Sequence, residues 1–328
     1  MNRKTPFADV MHALMSDPAM QTRYLYRLSD MEHEEMLAFQ AMWPAFPVGR
    51  RSLIAHHLNQ IYDDDFMVDF ENVFHFFLSD EAAVVRRSGV MGLYGSTNAR
   101  HVNPLLRLLE TDADDEVRAQ GAATLGNFVF QSLCGLMPAF VAEKIMPVLL
   151  RTLENPLTPI IVRRRALESA SYLDDERVFA FITDAYDTGD FLTQLSAVNA
   201  MGINGAHRWL PIVLDELESP YEDMRLAAVE AAGKIGDVQA LSQLVRLIEE
   251  EDQDRAIREA AIEALAAIGG EEAEQILLEM VEDPDLEDLW EMMAEALEEM
   301  DWSNVFDDYL MLDFGADDDD DEDAEPWL

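Results

Sequence analysis

Apolar residues recur at three- and four-residue spacing in VNPLLRLLE, KIMPVLLRTLE, DERVFAFITDAY, WLPIVLDELE, ALSQLVRLIEE and AEQILLEMVED. That period places them on one helical face, so each segment predicts an amphipathic helix. A second kind of segment alternates with these. It is rich in alanine and carries an arginine near its start, as in EAAVVRRSGVMGLYG, DDEVRAQGAATLG, PYEDMRLAAVEAAGKIG and DQDRAIREAAIEALAAIG. Asp, Ser and Pro fill the intervening SD, TDADDE, ENPLTP, ESPYED and EDPDLED, and these residues form turns and helix N-caps. The pattern predicts a repeating unit of helix, short turn, helix and loop.

The arginines set the register. Arg86, Arg118, Arg163, Arg225 and Arg258 hold the same place in successive units, Arg51 holds it less clearly, and Gln194 and Trp290 stand there in two others. The steps between these positions are 35, 32, 45, 31, 31, 33 and 32 residues, a period that marks a helical solenoid. One helix pair cannot bury its own apolar face, whereas stacked neighbours bury each other's. An arginine in a first helical turn opposes the helix dipole at a cost of up to about 1 kcal/mol. A partly buried charge-assisted hydrogen bond contributes about 1.5–3 kcal/mol and outweighs it. The five arginines are therefore expected to form a structural ladder between repeats.

The Asp-rich turn, the Val-Arg pair, the alanine-rich first helix ending near glycine and the leucine-rich second helix resemble the HEAT repeats and the related bilin-lyase-type HEAT-like repeats. The resemblance covers roughly residues 47–300 and is densest over 79–126 and 219–280. It implies an all-α, right-handed α-α superhelix of about eight helix pairs. It also implies polar contacts between recurring Asp and Arg, carried here by Asp112 or Asp114 with Arg118, Asp223 with Arg225, and Asp254 with Arg258. Three parts are expected: an N-terminal helical cap (1–46), the solenoid (47–312) and a disordered acidic tail (313–328).

Charge divides the chain unequally. Its 328 residues carry a net charge of −43. Residues 1–165 hold 16 basic and 20 acidic side chains, and residues 166–328 hold seven basic and 46 acidic. Such a field repels nucleic acid and anionic membranes and attracts basic partners. The single cysteine, Cys134, excludes an intramolecular disulfide and fits a reducing, cytoplasmic setting. Neither a secretory leader nor a membrane-length apolar run is apparent.

Three segments depart from the repeat. The long step from Arg118 to Arg163 places extra residues in NFVFQSLCGLMPAFVAEK. Its Phe128 and Phe140 either pack a longer helix pair or form an exposed patch that docks a partner. In the N-terminal segment, LSDMEHEEM predicts a capped helix start, and Phe39, Trp43 and Phe46 are expected to cover the open end of the first repeat. The tail DFGADDDDDEDAEPWL is an acidic block that cannot pack. It ends on Pro326, Trp327 and Leu328, and resembles the C-terminal peptide of bacterial single-stranded-DNA-binding proteins, which inserts into a pocket rimmed by basic side chains. It is either a solubiliser or a docking motif.

No catalytic motif emerges. His33 begins HEEML without a second His four residues on. HEAT-type di-iron hydroxylases carry several His-Glu pairs, and His33-Glu34 is alone here. No phosphate-binding glycine loop, nucleophile elbow or EF-hand is present, so neither cofactor nor metal is expected. The second helices carry a charged row, Arg107, Arg151, Asp215, Arg246 and Glu279, expected on an exposed ridge. The leading expectation is a non-enzymatic protein-interaction scaffold. Its partner would be basic or would offer a basic-rimmed apolar pocket, with neither nucleic acid nor membrane bound directly. Candidate contacts are Arg107, Arg151, Arg246, Phe128, Phe140, Trp327 and Leu328. The alternatives are an assembly factor or chromophore-lyase-like chaperone, and an acidic nucleic-acid mimic.

Overall fold

The computed structural model describes residues 5–250 and 252–300. All regular structure among them is helical, as the periodicity predicts. The acidic tail 313–328, with Trp327 and Leu328, lies outside the described residues. The chain divides into two compact units, Met1–Ala200 and Met201–Leu328.

The first unit opens with α1 (Phe7–Ser16), α2 (Thr22–Tyr26) and α3 (His33–Met42). The cap of α3 is a reciprocal box between Glu32 and Glu35. Ser29 and Asp30 lie before it, and Asp30 takes a left-handed φ of 49°. Next come α4 (Val48–Asp64), α5 (Glu71–Phe77), α6 (Ala83–Gly92), α7 (Val102–Thr111), α8 (Asp115–Leu133), α9 (Phe140–Glu154), α10 (Ile160–Ala170) and α11 (Glu176–Thr188). Even-numbered helices from α4 to α10 pack side by side as the first helices of successive repeats, and α7 packs on α9 as second helices do. The helix α12 (Phe191–Asn204) crosses the division between units. The second unit continues with α13 (Leu210–Glu216), α14 (Glu222–Ile235), α15 (Leu241–Glu249), α16 (Arg255–Ile268) and α17 (Gly270–Val281), then helical residues 290–300.

Loop acids start several helices, the general role the sequence assigns to the Asp-rich turns. Asp114, Asp175 and Asp254 accept hydrogen bonds from the backbone at the starts of α8, α11 and α16. Gly126 near the middle of α8 and Gly233 near the end of α14 act through packing. A Cβ on Gly126 would lie 2.9 Å from Ser169 Cα, and one on Gly233 would lie 2.9 Å from Ala264 Cα. Successive first helices touch backbone to backbone there. Polar side chains reinforce the contact. Thr124 donates to the Val90 carbonyl (3.2 Å), and Ser169 donates to that of Ala122 (2.9 Å).

At the N-terminal end, Trp43 stacks on Phe77 of α5 with ring centres 4.9 Å apart. Phe39 and Phe46 lie against Trp43 at 5.0 and 5.6 Å. All four rings are buried. The aromatic residues before α4 thus bury the end face of the first helix pair.

Candidate functional site

The arginine positions show what the repeat does with its polar groups. Asp80 is the most enclosed point. Its carboxylate accepts from Arg51 at 2.7 and 2.9 Å, from the Trp43 indole at 2.7 Å and from the Ala82 N–H at 2.8 Å. Arg86 on α6 grips Asp112 through Nε (2.8 Å) and Nη2 (2.7 Å), the two-pronged geometry of a planar guanidinium. Burial raises the Asp112 pKa, but the bonds from Arg86 and from the Asp114 N–H outweigh it and hold the carboxyl below its ordinary range. In the second unit Arg225 donates to Gln253 at 2.9 Å, and Arg258 reaches Asp288 at 3.3 Å.

These pairings correct the expected ones. Asp112 belongs to Arg86 of the preceding repeat, Asp114 is spent on the α8 cap, and Arg118 pairs with Asp115 at 3.1 Å. Asp254 likewise caps α16. Arg51, Arg86, Arg225 and Arg258 reach forward to the next loop, whereas Arg118 stays with Asp115 of its own helix, and Asp114 and Asp254 face their own helix N-termini.

The rung residue also donates backward, to a carbonyl at or just beyond the end of the preceding helix. Arg86 bonds Asp80 O (2.8 Å), Arg118 bonds Leu109 O (3.1 Å), Arg225 bonds Ser219 O (2.8 Å) and Arg258 bonds Ile248 O (2.8 Å). Such carbonyls carry the negative end of a dipole and lack helical partners. The same charge that opposes its own helix therefore favours the preceding one. Gln194 and Trp290, which replace arginine, make the equivalent bond to Tyr186 O (3.0 Å) and Asp283 O (3.3 Å). Arg163 alone among these positions has a side chain that makes no hydrogen bond or ion pair among the described residues.

The second-helix ridge is exposed and largely self-neutralised. Arg151 pairs with Glu110 at 3.1 Å and Arg246 with Glu218 at 3.2 Å, each reaching back one repeat. Both pairs are solvent-exposed and add little stability. The Arg107 guanidinium is exposed without such a partner.

The insertion divides its aromatic residues. Phe128 is wholly buried in the core and offers no ring to a partner, contrary to expectation. Its α8 neighbours Phe130 (43 % exposed) and Leu133 (55 %) turn outward, as do Leu136 (65 %) and Phe140 (53 %). The extra residues lengthen α8 and the connection to α9, leaving four large apolar side chains in solvent.

A polar cluster escaped the sequence reading. His101 is wholly buried, with Nδ1 2.8 Å from His75 Nδ1 and Nε2 3.0 Å from Glu71. The pairing that satisfies all three has His75 donating to His101 and His101 donating to Glu71. Arg100 and Asn98 also donate to Glu71, at 2.7 and 2.9 Å. Burial lowers the pKa of both histidines. Burial raises that of Glu71, but hydrogen bonds from His101 and Asn98 outweigh it and bring the carboxyl below its ordinary range. The cluster ties α5 to the start of α7. Among the described residues, no group of three or more His, Cys, Asp or Glu is placed to hold a metal ion. No described helix is long and apolar enough to cross a membrane.

Comparison with known proteins places this architecture. Residues 210–298 match the family model for HEAT repeats. No curated protein sequence matches the chain. Among solved structures, Kap95p in complex with RanGDP shares 10 % identity at a TM-score of 0.49, covering 96 % of this chain and 48 % of that one. The chain thus spans about half the length of Kap95p. The CpcE–CpcF complex of phycocyanin lyase from Nostoc sp. PCC7120 shares 20 % identity at a TM-score of 0.46, over 70 % of this chain and 94 % of that one. Human deoxyhypusine hydroxylase shares 13 % identity at a TM-score of 0.32, over 89 % and 96 %.

Proposed function

HEAT repeats make up residues 210–298 by direct match, and the same helix pair with its rung residue recurs from residue 48 onward; from that premise we propose that the protein is a non-enzymatic scaffold that binds another protein. The observation that carries this reading is the apolar cluster of Phe130, Leu133, Leu136 and Phe140, which stands in solvent beside a core already complete with Phe128. Four large apolar side chains exposed within residues 130–140 are the kind of surface that interaction sites use. The excess of acid in residues 166–328 favours a basic partner and disfavours nucleic acid. The lone exposed Cys134 suits the cytoplasm, where a free thiol stays reduced.

The test is capture from source lysate at low and high salt. A partner held by the cluster resists salt, because apolar contact is not screened as surface charge is. Leu136→Ser with Phe140→Ser is expected to lose that partner at unchanged Tm. Retention of the same partner by the double variant would place binding elsewhere. A chain ending at Asp313 separates any contribution of Trp327 and Leu328.

A further inference from the structure

Arg163 departs from the other rungs, and part of the reason lies at Gly189. Asp112, which closes the rung of Arg86, is the extended residue that follows α7, at φ −63° and ψ 142°. Gly189 is the extended residue that follows α11, at φ −72° and ψ 160°. Each lies 26 residues beyond its arginine. The backbone at 189 would admit any residue, but a Cβ there would collide with the Ala185 carbonyl oxygen and the Thr193 side chain. The fold has no room for an acid at the equivalent of Asp112, and the positions 28–30 residues on, where the rungs of Arg225, Arg51 and Arg258 close, hold Phe191, Leu192 and Thr193 here.

The unclosed rung opens onto a cavity of about 240 Å³. Arg163 and Arg164 on α10 line it, with Asp184 on α11, Asp190 at the start of α12, and apolar Leu153 and Phe181. The Arg164 side chain, like that of Arg163, makes no hydrogen bond or close ion pair among the described residues, and both arginines are half-buried. The Thr193 hydrogen bonds and, after them, the Arg164 charge help hold the Asp190 carboxyl below its ordinary range. Two guanidinium groups in the opening turns of one helix share the positive field of its unpaired N–H groups. The Asp190 oxygen Oδ1 is occupied by the N–H and hydroxyl of Thr193 at 2.9 Å each. Asp184 provides an acceptor on the other wall. The site therefore offers donors for a carboxylate, an acceptor for an N–H and apolar walls beside both.

We propose that this cavity is a peptide-binding site that takes an acidic side chain flanked by an apolar residue, the partner's carboxylate completing the rung that Gly189 leaves open. The Arg86–Asp112 pair is the internal template, since there the same guanidinium position takes a carboxylate in two-pronged fashion at 2.7–2.8 Å. Peptide, rather than a simple carboxylate, is what the opposing acceptor and apolar lining suit. The site rests on the protein-binding reading above only for the class of ligand and lies apart in sequence from the apolar cluster.

The test is fluorescence anisotropy on the full chain, with a fluorescein-labelled Gly-Leu-Asp-Leu-Gly amide and its Asn counterpart. Saturable binding of the Asp peptide is expected, at least tenfold weaker for the Asn peptide. Arg163→Gln and Arg164→Gln should each weaken binding at least tenfold at nearly unchanged Tm, because neither guanidinium makes a hydrogen bond or close ion pair to lose, although Arg164 acts on Asp190 through its charge. Arg23→Gln, an exposed arginine elsewhere in the unit, should bind as the parent does. No saturable binding, full binding by Arg163→Gln, or an equal loss in Arg23→Gln would overturn the site. Those outcomes leave the apolar cluster untouched. If instead Leu136→Ser with Phe140→Ser keeps its captured partner while the peptide site behaves as expected, the cluster fails and this site stands.

Discussion

Arg86 and Arg163 hold the same place in their repeats and meet different surroundings. Arg86 reaches an Asp112 carboxylate whose side chain is 4 % exposed, and two backbone carbonyls besides. Arg163 reaches a cavity. Part of the difference lies at one backbone position, where Gly189 takes the conformation of Asp112 without space for its side chain. A repeat can thus turn a stabilising contact into an open site by changing what its neighbour supplies, with the arginine itself kept.

The largest effect belongs to the closed rung. Arg86→Met leaves the Asp112 carboxylate buried without its counter-ion, a change that costs about 3–5 kcal/mol. A urea unfolding curve should show it as a lowered midpoint. A loss below about 1 kcal/mol would mean that the ladder holds little of the fold together, since that is the scale of an exposed pair.

Next comes the contact that sets helix spacing. Gly126→Leu and Gly233→Leu force side-chain atoms into Ser169 and Ala264. Overpacking of this kind costs about 1–3 kcal/mol. Thermal unfolding checks it, and an unchanged Tm would show that the first helices slide apart freely.

The register was legible because helical period and arginine spacing are local signals. Helix order, the Asp-rich turns that start helices and the exposed ridge followed from them. The direction of the rungs did not. Asp112 and Asp114 are two residues apart, and only the three-dimensional path of the loop decides which one faces Arg86. Phe128 and Phe140 read alike as aromatic residues in an apolar insertion, but helical phase buries one and exposes the other. His75 and His101 are 26 residues apart and belong to no motif, so nothing in the sequence pairs them. The open rung was equally hidden, because an absent acid has no signature until the geometry shows that one is missing.

The histidine pair sharpens the contrast between polar contacts that hold the fold and those that await a ligand. Both histidines have pKa values lowered from 6.5, chiefly by burial, and Arg100 beside them lowers them further while Glu71 opposes this. A lowered folded-state pKa means that the unfolded chain takes up protons first. Their contribution is fully present above about pH 6.5 and is lost as pH falls below it toward the folded-state values. Urea midpoints measured from pH 7.5 to 5 should therefore decline, and His75→Gln should flatten the decline. A decline equally steep in that variant would assign it to other groups.

The smallest expected effect is the most discriminating. Arg163→Gln removes a half-buried charge that has no partner, so stability should stay within about 0.5 kcal/mol of the parent, the range of an ordinary surface change. In the same repeat frame, Arg86→Met should cost several-fold more. Burial of an unpaired guanidinium disfavours the folded state, so any shift at Arg163 should be toward greater stability. A pronounced fall in the midpoint would mean that Arg163 makes a stabilising contact in solution and that its rung is closed. Stability unchanged or raised, together with lost peptide binding, would separate the two arginines into one that builds the repeat and one that the repeat presents to a ligand.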